Sequence, residues 1–117
     1  RVLFRSVEEL VSEFNPDCAA IEELFFNKNV GSALAVGQAR GVAILAVTHA
    51  GLPVAEYTPL QVKTAVTGYG RATKEQVAYM VSMLLALTET PKPDDITDAL
   101  AICLCHGYNA HNWGRSG

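Results

Sequence analysis

The sequence lacks the features of a membrane or secreted protein. It has no apolar run near the roughly 20 residues that a membrane-spanning helix needs, and it shows no signal peptide. Its three cysteines, Cys18, Cys103 and Cys105, are an odd number without the spacing of a disulfide framework. These absences predict a protein of the reducing cytoplasm that has no membrane partner.

Basic residues are outnumbered in this chain. Its 117 residues hold nine Lys and Arg against twelve Asp and Glu, which gives a formal net charge of −3. This balance argues against bulk electrostatic binding to nucleic acid, although it does not exclude a local basic patch. Half of the residues are apolar, so one domain of this length can bury a core.

An initiating Met is also missing. The chain opens with Arg-Val-Leu-Phe-Arg-Ser, a hexapeptide that resembles translated adapter sequence. We therefore expect residues 1–6 to be a non-native leader and the true start to lie upstream. Residues 7–108 would form the domain, and residues 109–117 a polar, glycine-containing tail that frays.

The chain alternates helical and strand patterns. The predicted order is helix, strand, helix, strand and three helices, an α/β arrangement. Strong capping boxes begin two of the helices, Thr58 with Gln61 and Thr73 with Gln76. Two strands are few for an open sheet, so we expect further strands upstream. The segments are a helix at 7–14, strands at 18–22 and 53–57, a helix at 31–50, and three helices that begin near 59, 74 and 94.

Two acidic residues begin the last helix. Asp95 and Asp98 are three positions apart, so their side chains lie about 60° apart on one helical face. One interpretation is helix capping by carboxylates, which also suit the helix dipole. The apolar residues behind them predict a buried helix with an exposed acidic end. A zinc site at Cys103, Cys105 and His106 is disfavoured, because helical residues two apart point about 200° away from each other.

A third carboxylate suggests a metal site instead of simple capping. Glu22 closes the first predicted strand, and strand carboxyl ends are where α/β sheets place their sites. Carboxylates suit Mg²⁺ or Mn²⁺, and two such ions about 4 Å apart can hydrolyse a phosphodiester. Phosphates would then be held by basic residues at loops and helix starts, namely Lys63, Arg71 and Lys74.

Two further groups have two interpretations each. In the loop at 23–30, Phe25, Phe26 and Lys28 could contact bases and phosphates, or the rings could be tucked beneath the loop. In the long helix, Ala33, Gly37 and Gly41 are spaced four apart. This stripe lets another backbone approach closely, either in the core or across a dimer.

Several motifs occur together in one order. They are Ala20-Ile-Glu-Glu-Leu-Phe25, Gly37-Gln-Ala-Arg-Gly-Val-Ala-Ile44, Gln61-Val-Lys63, Gly68-Tyr-Gly70, Lys74-Glu-Gln-Val77 and Asp95-Ile-Thr-Asp-Ala-Leu-Ala101. Together they closely resemble the RuvC-type Holliday-junction resolvases over residues 7–108. The resemblance implies an RNase H-like fold, a homodimer, and Mg²⁺-dependent nicking of four-way DNA junctions in recombination and repair. It also implies a complex with a branch-migration helicase.

The resemblance assigns roles to individual residues. It implies that Glu22, Asp95 and Asp98 are catalytic metal ligands, that Lys63 and Lys74 contact DNA, and that Phe25 wedges at the junction. It also implies that the long helix contributes to the dimer interface.

One family motif has no counterpart in the chain. The family's first catalytic Asp lies in a Gly-Ile-Asp-Pro-Gly-like strand, and nothing here matches it. We expect an RNase H-like fold without its first three strands, leaving two strands packed against about five helices, and an inactive, marginally folded chain. The competing hypotheses are another RNase H-like nuclease, a module that binds junctions without cutting them, and a small-ligand α/β domain.

Overall fold

The computed structural model describes residues 2–23, 30–89 and 94–116, without the side chains of Val30, Ser32, Asp94 and residues 110–116. These residues form five helices and two strands, and the two strands pair in parallel. The predicted order of elements and the α/β class are therefore confirmed. The elements are α1 (Val2–Phe14), β1 (Ala19–Glu22), α2 (Val30–His49), β2 (Val54–Tyr57), α3 (Pro59–Thr67), α4 (Lys74–Leu84) and α5 (Asp94–Ser116).

The chain divides into two compact units, residues 1–56 and residues 57–117. Among the described helices, none has both the length and the apolar character needed to cross a membrane.

In the first unit, α1 packs against α2. The predicted start of α1 at residue 7 is wrong, because the helix begins at Val2. The reason is that the half-buried stripe of Val7 and Val11 continues back to Phe4. The ring of Phe4 lies 6.2 Å from that of His49.

The end of α2 follows from its glycine. Gly51 has a φ of 85°, a left-handed conformation that favours a residue without a Cβ. The N–H of Gly51 donates to the Thr48 carbonyl at 2.9 Å, and the N–H of Leu52 donates to the Val47 carbonyl at 3.0 Å. These bonds satisfy carbonyls of the last turn and confirm the predicted stop at this position.

The strand β1 brings Glu22 to a sheet end. The N–H of Ala19 donates to the Pro53 carbonyl at 3.0 Å, next to the pairing of β1 with β2. The four residues of β1 are half-buried. An ion pair between Arg40 and Glu56 ties α2 to β2.

In the second unit, α3, α4 and α5 pack against one another. The hydroxyl of Tyr57 and Nδ1 of His106 lie 2.6 Å apart, which joins the end of β2 to α5. Both predicted capping boxes are present, at Thr58 and at Thr73, so α3 and α4 begin where the local sequence places them. The buried residues of this unit are Tyr57, Val62, Val66, Ala72, Val81, Thr97, Ala101 and Cys105.

Two expectations about α5 are wrong. The buried face is formed by Thr97, Ala101 and Cys105, spaced four apart, whereas Ile96 is 46% exposed. Packing against α3 and α4 selects this narrow stripe from a helix that is apolar on several sides. The helix also continues to Ser116, through residues after 108 that were expected to form a fraying tail. Once a helix is formed, each added residue gains one more hydrogen bond. Gly107 lowers the stability of the helix at its position but does not end the helix.

Candidate active site and nucleic-acid surface

The predicted metal ligands fall into two groups. Glu22 is the last residue of β1 and is half-buried in the first unit. Asp95 and Asp98 lie in the first turn and a half of α5, in the second unit, and both are exposed while Thr97 between them is buried. The helix thus turns its two carboxylates to its solvent side at the end where the dipole is positive.

These carboxylates have the donor chemistry of a magnesium site, since Mg²⁺ is held by one or two carboxylates and keeps several waters. Across the described side chains, no three His, Cys, Asp or Glu residues form a group that could hold a metal ion. The joint role of Glu22 with Asp95 and Asp98 stays a prediction.

The basic residues lie on α3, on the turn that follows it and at the start of α4. Lys63 is half-buried on α3, Arg71 is exposed in the turn, and Lys74 is exposed as the first residue of α4. Lys74 follows the Thr73 cap, so its ammonium group adds to the backbone N–H groups of a helix start. A helix start with a basic residue favours an anion such as phosphate.

The turn between α3 and α4 has a defined conformation. Gly68 has a φ of 79° and its N–H donates to the Thr64 carbonyl at 2.9 Å. The Thr67 hydroxyl lies 2.9 Å from the Tyr69 carbonyl oxygen and accepts from the Tyr69 N–H at 3.0 Å. A Cβ at Gly70 would lie 2.5 Å from Cδ1 of Leu60, so this glycine permits close packing on α3. These contacts hold the turn that carries Arg71.

Not every predicted contact residue can be placed. Phe25 and Lys28 lie outside the described residues. Ala33 is half-buried on α2, whereas Gly37 and Gly41 are exposed, and a Cβ added at either would meet no atom within 4 Å. Among the described residues, these two glycines therefore do not serve packing.

A cleft beside the turn was missed from the sequence. It has a volume of about 400 Å³ and is lined by Thr67, Tyr69, Ala72, Glu75, Gln76, Tyr79 and Met80. Tyr69 is 56% exposed and Tyr79 is 63% exposed, so both present a large part of their rings to solvent. The available signal was an aromatic residue between two glycines, Gly68 and Gly70, next to basic residues.

Comparison with known proteins places these features in a family. The family model described as "Crossover junction endodeoxyribonuclease RuvC" matches residues 1–106. Relatives with that name come from Desulforamulus reducens, 55% identical over 112 residues, and Moorella thermoacetica, 61% identical over 104 residues. These alignments cover 96% and 89% of this chain, but 69% and 62% of the relatives.

Solved structures show the same similarity. A Thermus thermophilus RuvC structure matches with a TM-score of 0.85 and 43% identity, over 93% of this chain and 66% of that one. A structure titled "T. thermophilus RuvC in complex with Holliday junction substrate" matches with a TM-score of 0.86 and 44% identity, over 92% and 66%. The predicted resemblance and RNase H-like fold are confirmed. The chain spans about two thirds of the length of these relatives.

Proposed function

The chain belongs to the RuvC family of crossover junction endodeoxyribonucleases, and on that basis we propose that it acts in the nicking of four-way DNA junctions. The observation that carries the proposal is the family match over residues 1–106, which includes Glu22, Asp95 and Asp98. A T. thermophilus relative has been solved with a Holliday junction substrate, which supports junction DNA as the ligand. The setting would be recombination and repair in the cytoplasm.

The acidic residues would hold the divalent cation. We propose Mg²⁺, with Mn²⁺ as an alternative, held by Glu22 together with Asp95 and Asp98. Their carboxylates suit these hard cations, and the exposed start of α5 leaves Asp95 and Asp98 accessible to a ligand. When bound, such ions supply an activated water and stabilise the leaving oxygen of a phosphodiester.

The basic residues would hold the DNA backbone. Residues 57–88 contain Lys63, Arg71 and Lys74 against a single acidic residue, Glu75. This segment is therefore locally basic although the whole chain carries a formal charge of −3. Phosphate contacts from Lys and Arg supply much of the affinity for DNA. Phe25 and Lys28 complete the proposed DNA-contacting set.

A second copy of the chain would cover α2. Gly37 and Gly41 lie on an exposed stripe with Leu34 and Leu45, which are 62% and 60% exposed. Small residues in such a stripe let two helices come close, and the neighbouring leucines would then be buried. A two-fold homodimer presents two equivalent sites to the two strands that a symmetric resolution must nick. A branch-migration helicase is a further proposed partner.

We also propose that the 117-residue chain alone binds junctions without cutting them. None of its residues matches the acidic motif that the resemblance assigns to the family's first strand. A site that lacks one of its carboxylates holds its cation less well.

The test uses the 117-residue chain and a chimera. In the chimera, the Moorella thermoacetica relative supplies the part of its own length that this chain does not cover. We expect the chimera to nick a synthetic four-way junction in Mg²⁺ and to spare linear duplex of the same sequence, whereas the 117-residue chain binds the junction only. Glu22→Gln or Asp98→Asn in the chimera should lower nicking at least about 100-fold, since a metal supplies several kcal/mol of charge stabilisation.

A control and a second measurement make the result specific. Asp17→Asn, an exposed carboxylate outside the proposed site, should nick normally. Calorimetry should show weaker Mg²⁺ binding in Glu22→Gln and Asp98→Asn than in the chimera. Normal nicking by those two variants would disprove the ligand assignment, and equal cutting of junction and duplex would disprove the proposed function.

A further inference from the structure

The cleft of the second unit that lies between Tyr69 and Tyr79 has no assigned role. We propose that it binds an unpaired nucleobase of the DNA strand whose phosphates contact Arg71 and Lys74. This inference rests on the proposed function, because it adds a base-binding pocket to the same DNA surface. The cleft volume of about 400 Å³ lies within the range of small-molecule pockets, about 300–1,000 Å³.

The turn presents Tyr69 in a fixed position. The Thr67 hydroxyl accepts from the Tyr69 N–H at 3.0 Å, and the Ala72 N–H donates to the Tyr69 carbonyl at 3.2 Å. Ala72 itself is 4% exposed, so the turn is anchored on both sides of the tyrosine. An exposed aromatic ring on an anchored backbone loses little conformational freedom when a flat ligand stacks on it.

Tyr79 and its neighbours on α4 form the other wall of the cleft. Tyr79 lies four residues after Glu75 and three after Gln76, and Met80 lies four after Gln76, so these side chains lie along one side of the helix. A purely structural aromatic would bury its ring, whereas Tyr79 is 63% exposed. Two exposed rings and a thioether suit the faces of a base, which stack without regard to sequence.

The polar groups of the cleft suit the edge of a base. Glu75 offers acceptors at the cleft wall, and the capping bond from the Thr73 N–H occupies the side-chain oxygen of Gln76 and not its amide nitrogen. A base carries both donors and acceptors on its edge, so the pair Glu75 and Gln76 complements it. Arg71 and Lys74 are exposed next to the lining residues Ala72 and Glu75, so they are available to the phosphates of the same strand.

The charge pattern decides between a base and a peptide as the occupant. A peptide side chain could enter an apolar cleft, but it would not account for two basic residues beside it. A nucleotide accounts for both features, because its base is apolar on its faces and its phosphate is anionic.

The test measures binding of the 117-residue chain to a short DNA single strand that contains one fluorescent adenine analogue. Stacking on tyrosine should quench the analogue, and Tyr69→Ala or Tyr79→Ala should weaken binding about 5- to 150-fold and remove the quenching. Tyr69→Phe and Tyr79→Phe keep a ring and should bind as the wild type does. Tyr108→Ala, an exposed tyrosine on α5 outside this cleft, should also bind normally. Because Tyr69 and Tyr79 are exposed, the urea unfolding midpoints of the variants at these two positions should stay at the wild-type value.

The outcomes separate this pocket from the proposed function. If both Tyr→Ala variants bind and quench normally while Lys74→Ala binds weakly, the pocket is disproved and the proposed function stands. If binding depends on the tyrosines but the chain does not prefer a four-way junction to duplex, the pocket stands and the proposed function fails. If the wild type binds neither the single strand nor the four-way junction, the pocket and the proposed function are both disproved.

Discussion

Replacing Gly37 and Gly41 by Ala tests whether α2 forms a dimer contact, because the change should have opposite effects on the stability of the monomer and on the affinity of the dimer. Both glycines are exposed within the helix, and a Cβ at either position would meet no atom within 4 Å. Ala in a helix interior is favoured over Gly by about 0.8–1.0 kcal/mol. The double variant should therefore raise the free energy of unfolding of the isolated chain by about 2 kcal/mol. At roughly 4 °C for each kcal/mol, this raises Tm by roughly 8 °C.

The same substitutions should weaken a dimer. If two copies of α2 approach through these glycines, the added methyl groups separate the backbones and overpack the contact, which costs about 1–3 kcal/mol. The dissociation constant would then rise roughly 5- to 150-fold. The change is thus expected to stabilise the monomer and destabilise the dimer.

Two measurements and one control check this expectation. Urea unfolding at a protein concentration well below the dissociation constant reports the monomer, and sedimentation equilibrium reports the dimer. Gly107→Ala is the matched control, because Gly107 is also an exposed glycine within a helix, α5, with no atom within 4 Å of an added Cβ. It should stabilise the chain and leave association unchanged. If Gly37→Ala and Gly41→Ala change association no more than Gly107→Ala does, the dimer surface lies elsewhere.

Two further predictions concern charge. Lys63→Ala and Lys74→Ala should each lower the slope of log Kd against log salt concentration for duplex-armed junctions by about 1, because each phosphate contact contributes about 0.9 to that slope. The control Arg5→Ala, on α1, should leave the slope unchanged. Burial raises the pKa of the Cys105 thiol, and the hydrogen bond with Asn109 lowers it by a smaller amount. The protonated thiol therefore stabilises the fold fully below pH 9, and this contribution is lost as the pH rises through the higher pKa of the folded state. Urea unfolding as a function of pH should show this alkaline loss in the wild type and in Cys103→Ala but not in Cys105→Ala, and an unchanged loss in Cys105→Ala would contradict it.

Features decided by a few neighbouring residues were predictable from the sequence. The capping boxes at Thr58 and Thr73 are confirmed because a hydroxyl and an amide three residues apart satisfy the same backbone groups in any context. The stop at Gly51 is confirmed for the same reason, since its left-handed φ needs no tertiary partner. Local chemistry alone is sufficient at these positions.

Features decided by packing were not predictable. Apolar composition made the whole inner part of α5 look buried, but the neighbouring helices cover the stripe of Thr97, Ala101 and Cys105 and leave Ile96 46% exposed. The start of α1 was misplaced for a related reason, because the half-buried Phe4 belongs to a helix that begins at Val2 and not at residue 7. A pattern names candidates for burial, and the neighbouring element chooses among them.

The candidate site divides in the same way. The positions of two carboxylates at element ends were predictable, with Glu22 at the end of β1 and Asp95 at the start of α5, whereas their role as metal ligands stays a prediction. The cleft was not predictable, because Tyr69 belongs to a turn and Tyr79 to a helix. Their proximity depends on how Gly68 and Gly70 fold that turn.

The distribution of charge reconciles an acidic chain with an anionic ligand. Residues 1–56 hold four Lys or Arg and seven Asp or Glu, whereas residues 57–117 hold five of each, so the whole excess of negative charge lies in the first unit. Within the second unit, three of the five acidic residues stand at the start of α5, where a bound cation would neutralise them. Three of the five basic residues, Lys63, Arg71 and Lys74, lie on α3 and around the turn before α4. Exposed charges separated by more than about 10 Å are largely screened at 0.1 M salt. If the chain binds DNA as proposed, binding would depend on the local balance of charge around Arg71 and Lys74 and not on the net charge. Composition alone therefore could not decide for or against a nucleic-acid ligand.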